Sequence, residues 1–207
     1  LLDEGKVPLG LDLETVEPVT WELKKGNLLY LTDKEEQMIQ FVKQIAHSKQ
    51  KVIVLAPAYN ELPEMEGVTI LSTKEDYVAG IKKMEENIQL RLEQQKSQHE
   101  ATIVLYNQLE LMNDLSMDLQ SSLNYVLEKG ARAGYATVAM SGSQLNRKID
   151  EVSKSIKLYK QAIVAMRITD QSVLNVINRP VREEPLDSQV NYYVEDGFVR
   201  KVKVLMK

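Results

Sequence analysis

Short, unbroken apolar runs recur along this chain and do not alternate with polar residues. They fall at 28–31 (LLYL), 51–56 (KVIVLA), 68–71 (VTIL), 101–106 (ATIVLY), 135–140 (YATVAM) and 162–166 (AIVAM). A strand with one face in water alternates apolar and polar residues, so a continuous run needs cover on both faces. Between the runs, apolar residues return at steps of three and four, the spacing of one helix face. These stripes are Met38, Phe41, Val42 and Ile45; Tyr77, Ile81, Met84, Ile88 and Leu92; and Leu145, Ile149, Val152 and Ile156. A further stripe, Leu111, Leu115, Leu119, Leu123 and Val126, predicts one long helix stopping at Gly130. Asp170 is expected to N-cap a short helix running through Ile177. Strand and helix in alternation give an α/β fold with a largely parallel sheet covered on both faces.

The two ends depart from this rhythm. Residues 7–13 and 19–23 read as a small antiparallel ribbon. Pro180 and Pro185 break the chain, and Glu195-Asp196-Gly197 is a hairpin turn between 192–194 and 198–204. With no internal repeat or linker, residues 1–207 read as one domain. It comprises a lead-in ribbon (1–26), an α/β core (27–178) and a closing hairpin (179–207).

Composition narrows the chemistry. The 207 residues include no Cys and only two His, so thiolate metal sites, disulfides and Cys nucleophiles are excluded and no metal centre is expected. The balance of 26 basic and 30 acidic residues argues against a nucleic-acid partner. The longest apolar stretch, 52–58, is far below the roughly 20 residues of a membrane helix, and there is no signal peptide. The chain opens Leu1-Leu2-Asp3 without Met and is expected to be a piece of a longer protein.

Parallel sheets bind ligands at the carboxyl ends of their strands. A phosphate-binding loop after the first such strand needs glycines, inward amides, a Lys and a Ser/Thr. Here the junction reads Thr32-Asp33-Lys34-Glu35-Glu36, with no glycine and three carboxylates against one Lys. Thr32 and Glu35 match a T-x-x-E capping box, and Asp33 and Glu36 suit the positive end of a helix dipole. The helix start thus carries anions of its own where a phosphate would bind. After the 101–106 strand, an ATPase places an acid for the magnesium shell and another for the attacking water. This chain has Tyr106-Asn107-Gln108, and Glu110 and Asp114 come later, as surface acids near a helix start.

In this order, the junctions resemble an FtsK/SpoIIIE-type motor module. The closer similarity is to the last ATPase-like module of the EssC/EccC coupling proteins of type VII secretion. The stretches that carry it are Val7-Pro-Leu-Gly-Leu-Asp-Leu-Glu-Thr-Val-Glu-Pro-Val19, Asn27-Leu-Leu-Tyr-Leu-Thr32 and Leu127-Glu-Lys-Gly-Ala-Arg-Ala-Gly134 with Thr137-Val-Ala-Met140. Asp170-Gln-Ser172, Pro180-Val-Arg-Glu-Glu-Pro185 and the Gly197 hairpin complete the set. The resemblance implies a RecA-like P-loop NTPase fold. It makes Thr32–Glu36 a degenerate phosphate-loop position and Tyr106-Asn107 a degenerate magnesium-site position. No catalytic residue and no cofactor are then expected, with ATP and magnesium entering only if a vestigial site survives. Arg132 would face a neighbouring module.

The resemblance also implies partners: small helical-hairpin export substrates with C-terminal signals, and neighbouring ATPase modules of the same chain. The location would be the cytoplasmic face of the bacterial membrane, with membrane contact only through other parts of the protein. Two rival readings stand beside a substrate-recognising, non-hydrolysing module. One is an ATPase with unusual site residues, Lys34 with Glu110; the other is a structural cap.

Elsewhere the bland reading is preferred. Arg167 is expected to be exposed or ion-paired, and Trp21 to cover the sheet edge. His47, His99 and the Ser141-Gly-Ser143 turn are expected to carry no chemistry, and the lysines of 199–204 to protect an edge strand.

Overall fold

The computed structural model describes residues 5–48 and 50–204, so the chain's first residues and 205–207 lie outside the described part. One ten-stranded sheet organises the molecule, in the order β2-β1-β10-β9-β8-β3-β7-β6-β4-β5. Its parallel part contains β3 (Leu28–Leu31), β4 (Val52–Leu55), β5 (Val68–Leu71), β6 (Ala101–Leu105), β7 (Tyr135–Ser141) and β8 (Gln161–Val164). The remainder is antiparallel: β9 (Val190–Glu195) and β10 (Phe198–Lys203) form the closing hairpin, and β1 (Lys6–Asp12) and β2 (Pro18–Glu22) form the ribbon. The ribbon and hairpin are one structure, because β1 pairs with β10.

Every residue of β3, β6, β7 and β8 is buried, as their unbroken apolar runs require. Helix α1 (Glu35–Ala46) covers one face, where Met38, Phe41, Val42 and Ile45 pack with Leu28, Tyr30, Val54, Val104 and Val138. The opposite face takes α2 (Lys74–Glu93), α4 (Met117–Lys129) and α5 (Glu151–Ile156), over Leu29, Leu31, Ile103, Leu105 and Val164. Trp21 is fully buried on the edge strand β2, and its indole N–H donates to the Gly26 carbonyl. Asn27 ties β3 to the neighbouring layer by donating to the Leu127 carbonyl and accepting from the Thr137 amide.

Three helical expectations need correction. The 111–126 stripe is two helices, α3 (Gln108–Asp114) and α4. The chain turns extended at Leu115, and the Ser116 hydroxyl caps α4 by accepting from the Leu119 amide. The 145–156 stripe splits into a 3-10 turn, Ser143–Arg147, and α5, leaving Ile149 80% exposed. Asp170 caps no helix through Ile177: it closes the short 3-10 turn Ile168–Asp170 and pairs with Arg167 at 2.8 Å.

The buried tyrosines make the fold sensitive to alkali. Burial raises the phenol pKa of Tyr30, Tyr106, Tyr135, Tyr159, Tyr192 and Tyr193. Burial, then the nearby Asp114 carboxylate, pushes Tyr77 up to about 12. A group whose pKa is higher folded than unfolded adds stability below its unfolded value, and that stability is lost as pH rises through the folded one. Stability should therefore fall between pH 10, the ordinary tyrosine value, and 12. Circular dichroism and tyrosinate absorbance followed together should give coincident transitions. Tyrosinate rising smoothly while the fold persists would contradict this.

Candidate functional site

The carboxyl end of β3 is the sheet's switch point. From β3 the chain crosses to β4, three places away, then works back through β6 and β7, and β8 joins β3 on its other flank. Helix α1 therefore leaves over one face while α3, α4 and α5 cover the other, opening a crevice at the ends of β3, β7 and β6.

The link from β3 to α1 is only Thr32, Asp33 and Lys34. Thr32 is fully buried; its hydroxyl accepts from the Lys34 amide and donates to Gln37. The expected Thr32–Glu35 capping box is absent. Lys34 is the N-cap residue and makes no side-chain cap bond. Thr32 belongs to the strand end, two residues too early. Glu35 is drawn across the crevice instead, where its carboxylate accepts the Tyr106 phenol at 2.8 Å. Burial, then this hydrogen bond to Glu35, raises the Tyr106 pKa, so the phenol stays a donor.

Asp33 accepts the Ser143 amide at 2.8 Å. A Cβ at Gly142 would lie 2.6 Å from the Asp33 Oδ1, so glycine is needed for this approach. Asn107 has φ +45° and starts α3 without a side-chain cap. Gln108 is fully buried and bridges two elements: its Oε1 accepts the Ser141 hydroxyl and its Nε2 donates to Ser153 Oγ, each at 3.0 Å. Lys34 and Glu110 are both exposed; Glu110 accepts from Asn113. Asp114 accepts the Ala58 amide at 2.8 Å, which fixes the loop after β4.

Thr32 to Glu36, Tyr106 and Asn107 thus gather at one lip, linked by Glu35–Tyr106. Arg132 does not join them. It is exposed on the 3-10 turn Gly130–Ala133, which leads into the amino end of β7. His47 and His99 also lie away from the crevice, at the end of α1 and before β6. The sequence reading placed Gln108 at this junction but missed its bridging role, and it missed Ser153; their partners are distant in the chain and carry no local signal. It also missed Glu183, which accepts the Ile168 and Thr169 amides beside the crevice at 2.6 and 2.9 Å. Among the described residues no group of His, Asp and Glu is placed to hold a metal, and no helix is long and apolar enough to cross a membrane.

Comparison with known proteins gives one sequence relative and several structures. No family model matches the chain. The type VII secretion system protein EssC of Staphylococcus aureus is 24% identical over 98% of the chain, which spans 14% of that protein's length. ATPases 2 and 3 of Geobacillus thermodenitrificans EssC superpose with a TM-score of 0.88 at 18% identity, over 99% of this chain and 42% of that one. Thermomonospora curvata EccC (ATPases 2 and 3), solved in complex with a signal sequence peptide, superposes with a TM-score of 0.76 at 16% identity, over 98% and 41%. The resemblance read from the sequence therefore holds along nearly the whole chain: it is similar to the ATPase modules of the EssC/EccC coupling proteins and has their RecA-like fold.

Proposed function

We propose that this chain is a non-hydrolysing ATPase-like module, the last of its series, in a type VII secretion motor. It keeps the RecA-like frame to recognise export substrates by their C-terminal signals and to fit against neighbouring modules. It works at the cytoplasmic face of the membrane, as part of a membrane-anchored protein.

The observation that carries this reading is the occupied switch point. Where a phosphate loop would wrap its ligand there is a three-residue link. Its Asp33 accepts the Ser143 amide, and the first residue after the link, Glu35, holds Tyr106. Where the magnesium-holding acid would stand there are Tyr106, Asn107 and the neutral Gln108. The residues present do not fit ATP and magnesium. A phosphate oxygen about 4 Å from either carboxylate would be repelled by roughly 4 kcal/mol at a surface-type dielectric. The similarity to EssC and the EccC–signal peptide complex support the secretion role.

Two measurements test it. A ligand at 100 times its dissociation constant adds about 2.7 kcal/mol of stability. For a domain of this size that is a rise of about 5–11 °C in Tm. Millimolar ATP with magnesium is expected to give no rise. Nucleotide turnover that disappears in Lys34→Ala would overturn the non-hydrolysing reading. Calorimetry should show heat with a signal-bearing substrate and none with its signal-deleted form; equal heats would count against recognition.

A further inference from the structure

On the α1 face, a narrow cleft runs between α1 and the β9–β10 hairpin. Three glutamines of α1, Gln37, Gln40 and Gln44, stand along one side at steps of three and four, so they share one helix face. Ser188 and Asn191 stand on the other side. Below them lie Tyr30, Phe41, Ile163 and Tyr193, with the Tyr30 and Phe41 rings stacked at 4.7 Å. The cavity is about 40 Å³, room for one aliphatic side-chain tip and far too little for a nucleotide.

The lining contains no Asp, Glu, Lys, Arg or His, in a chain that is 27% charged. Its rim is built of amides with hydrogen-bonding capacity to spare. Gln44 spends its Nε2 on the Pro8 carbonyl and keeps its Oε1. Gln37 spends its Oε1 on Thr32 and keeps its Nε2. Gln40 is exposed. Carboxamides present a donor and an acceptor, the complement of a peptide unit.

We propose that this cleft binds an extended, uncharged segment of a partner protein, one aliphatic side chain entering over Tyr30 and Phe41 while its peptide groups pair with the glutamine row. This rests on the recognition reading above, to which it gives a place and a chemistry. Neutrality sets the selectivity. None of the lining side chains offers a counter-charge, and Arg200 beside them is already stacked over the Tyr193 ring, so a charged side chain here is buried unpaired, which is costly.

The test uses the folded chain and fluorescein-labelled peptides of Gly, Ser and Asn around one central Leu. Anisotropy should show saturable binding. Replacing the central Leu by Glu or Lys should weaken it at least tenfold, about 1.4 kcal/mol. Gln40→Ala, at an exposed position, should weaken it several-fold with Tm unchanged. Ser188→Trp, which fills the cleft from an exposed strap, should abolish it; circular dichroism verifies that this variant is folded. No binding at about millimolar peptide, or binding unchanged by Ser188→Trp, overturns the proposal. The two readings fail separately. If Ser188→Trp still binds signal-bearing substrate, recognition stands and this cleft is not its place. If the Leu peptide binds but no substrate does, the cleft stands and the recognition reading falls.

Discussion

Gly134→Ala is expected to lose about 2–5 kcal/mol of stability, a large part of the 5–15 kcal/mol that holds a typical domain. Gly134 has φ +86°, a left-handed conformation that costs a non-glycine residue about 1–2 kcal/mol. A Cβ there would lie 2.0 Å from the Gln98 carbonyl oxygen. That oxygen cannot yield, because the Arg91 guanidinium donates to it at 2.6 Å, to the Ala133 carbonyl at 2.7 Å and to Glu100 at 2.8 Å. The Glu100 amide in turn donates to the Gly134 carbonyl, joining this turn to the approach to β6. Relieving such an overlap means moving the backbone, typically a further 1–3 kcal/mol. Gly67→Ala is the control. It has φ +75°, but its added Cβ would meet only the Gln50 carbonyl oxygen, at an ordinary 4.0 Å, so it should lose only the conformational part. Urea denaturation followed by circular dichroism separates the two; equal losses would mean that the Gln98 contact is unimportant.

The same comparison explains what was legible in the sequence. Gly134 closes the A-R-A-G turn that contributed to the recognised pattern, and its reason is steric and local. The β3, β6 and β7 runs were legible because both faces are buried, leaving no charged residue to break them. The closing hairpin was legible because Asp196 and Gly197 both take positive φ, which this turn demands. The break between α3 and α4 was not legible. Leu111, Leu115 and Leu123 are all buried in one cluster, so the apolar stripe continues in phase across a backbone that has left the helix. The Thr32–Glu35 spacing misled for a different reason. A capping box is a local signature, and Glu35 obeys a distant residue, Tyr106. The union of ribbon and hairpin through β1 and β10 joins segments nearly two hundred residues apart, beyond the reach of periodicity.

Gln108 is where long-range order decides what the crevice can do, and Gln108→Ala should lose about 3 kcal/mol. Its amide is the shared partner of Ser141, at the end of β7, and Ser153, on α5. Gln108 and both serines are fully buried. Truncation leaves two hydroxyls without this partner, each costing about 1–3 kcal/mol when unsatisfied, and opens a cavity where the side chain stood. Gln108→Leu refills most of the volume and leaves the hydroxyls unpaired. The triple variant with Ser141→Ala and Ser153→Ala removes the unpaired groups, and should regain at least about 1 kcal/mol over Gln108→Leu alone. If the triple variant is no more stable, the network is not what holds this corner. If it is, the end of β6 is held by an uncharged arrangement in which Gln108 pairs with both serines. A buried carboxylate introduced here would have to be desolvated. Placing an acid at position 108 would then require changes in β7 and α5 as well, because Ser141 and Ser153 both pair with the residue there.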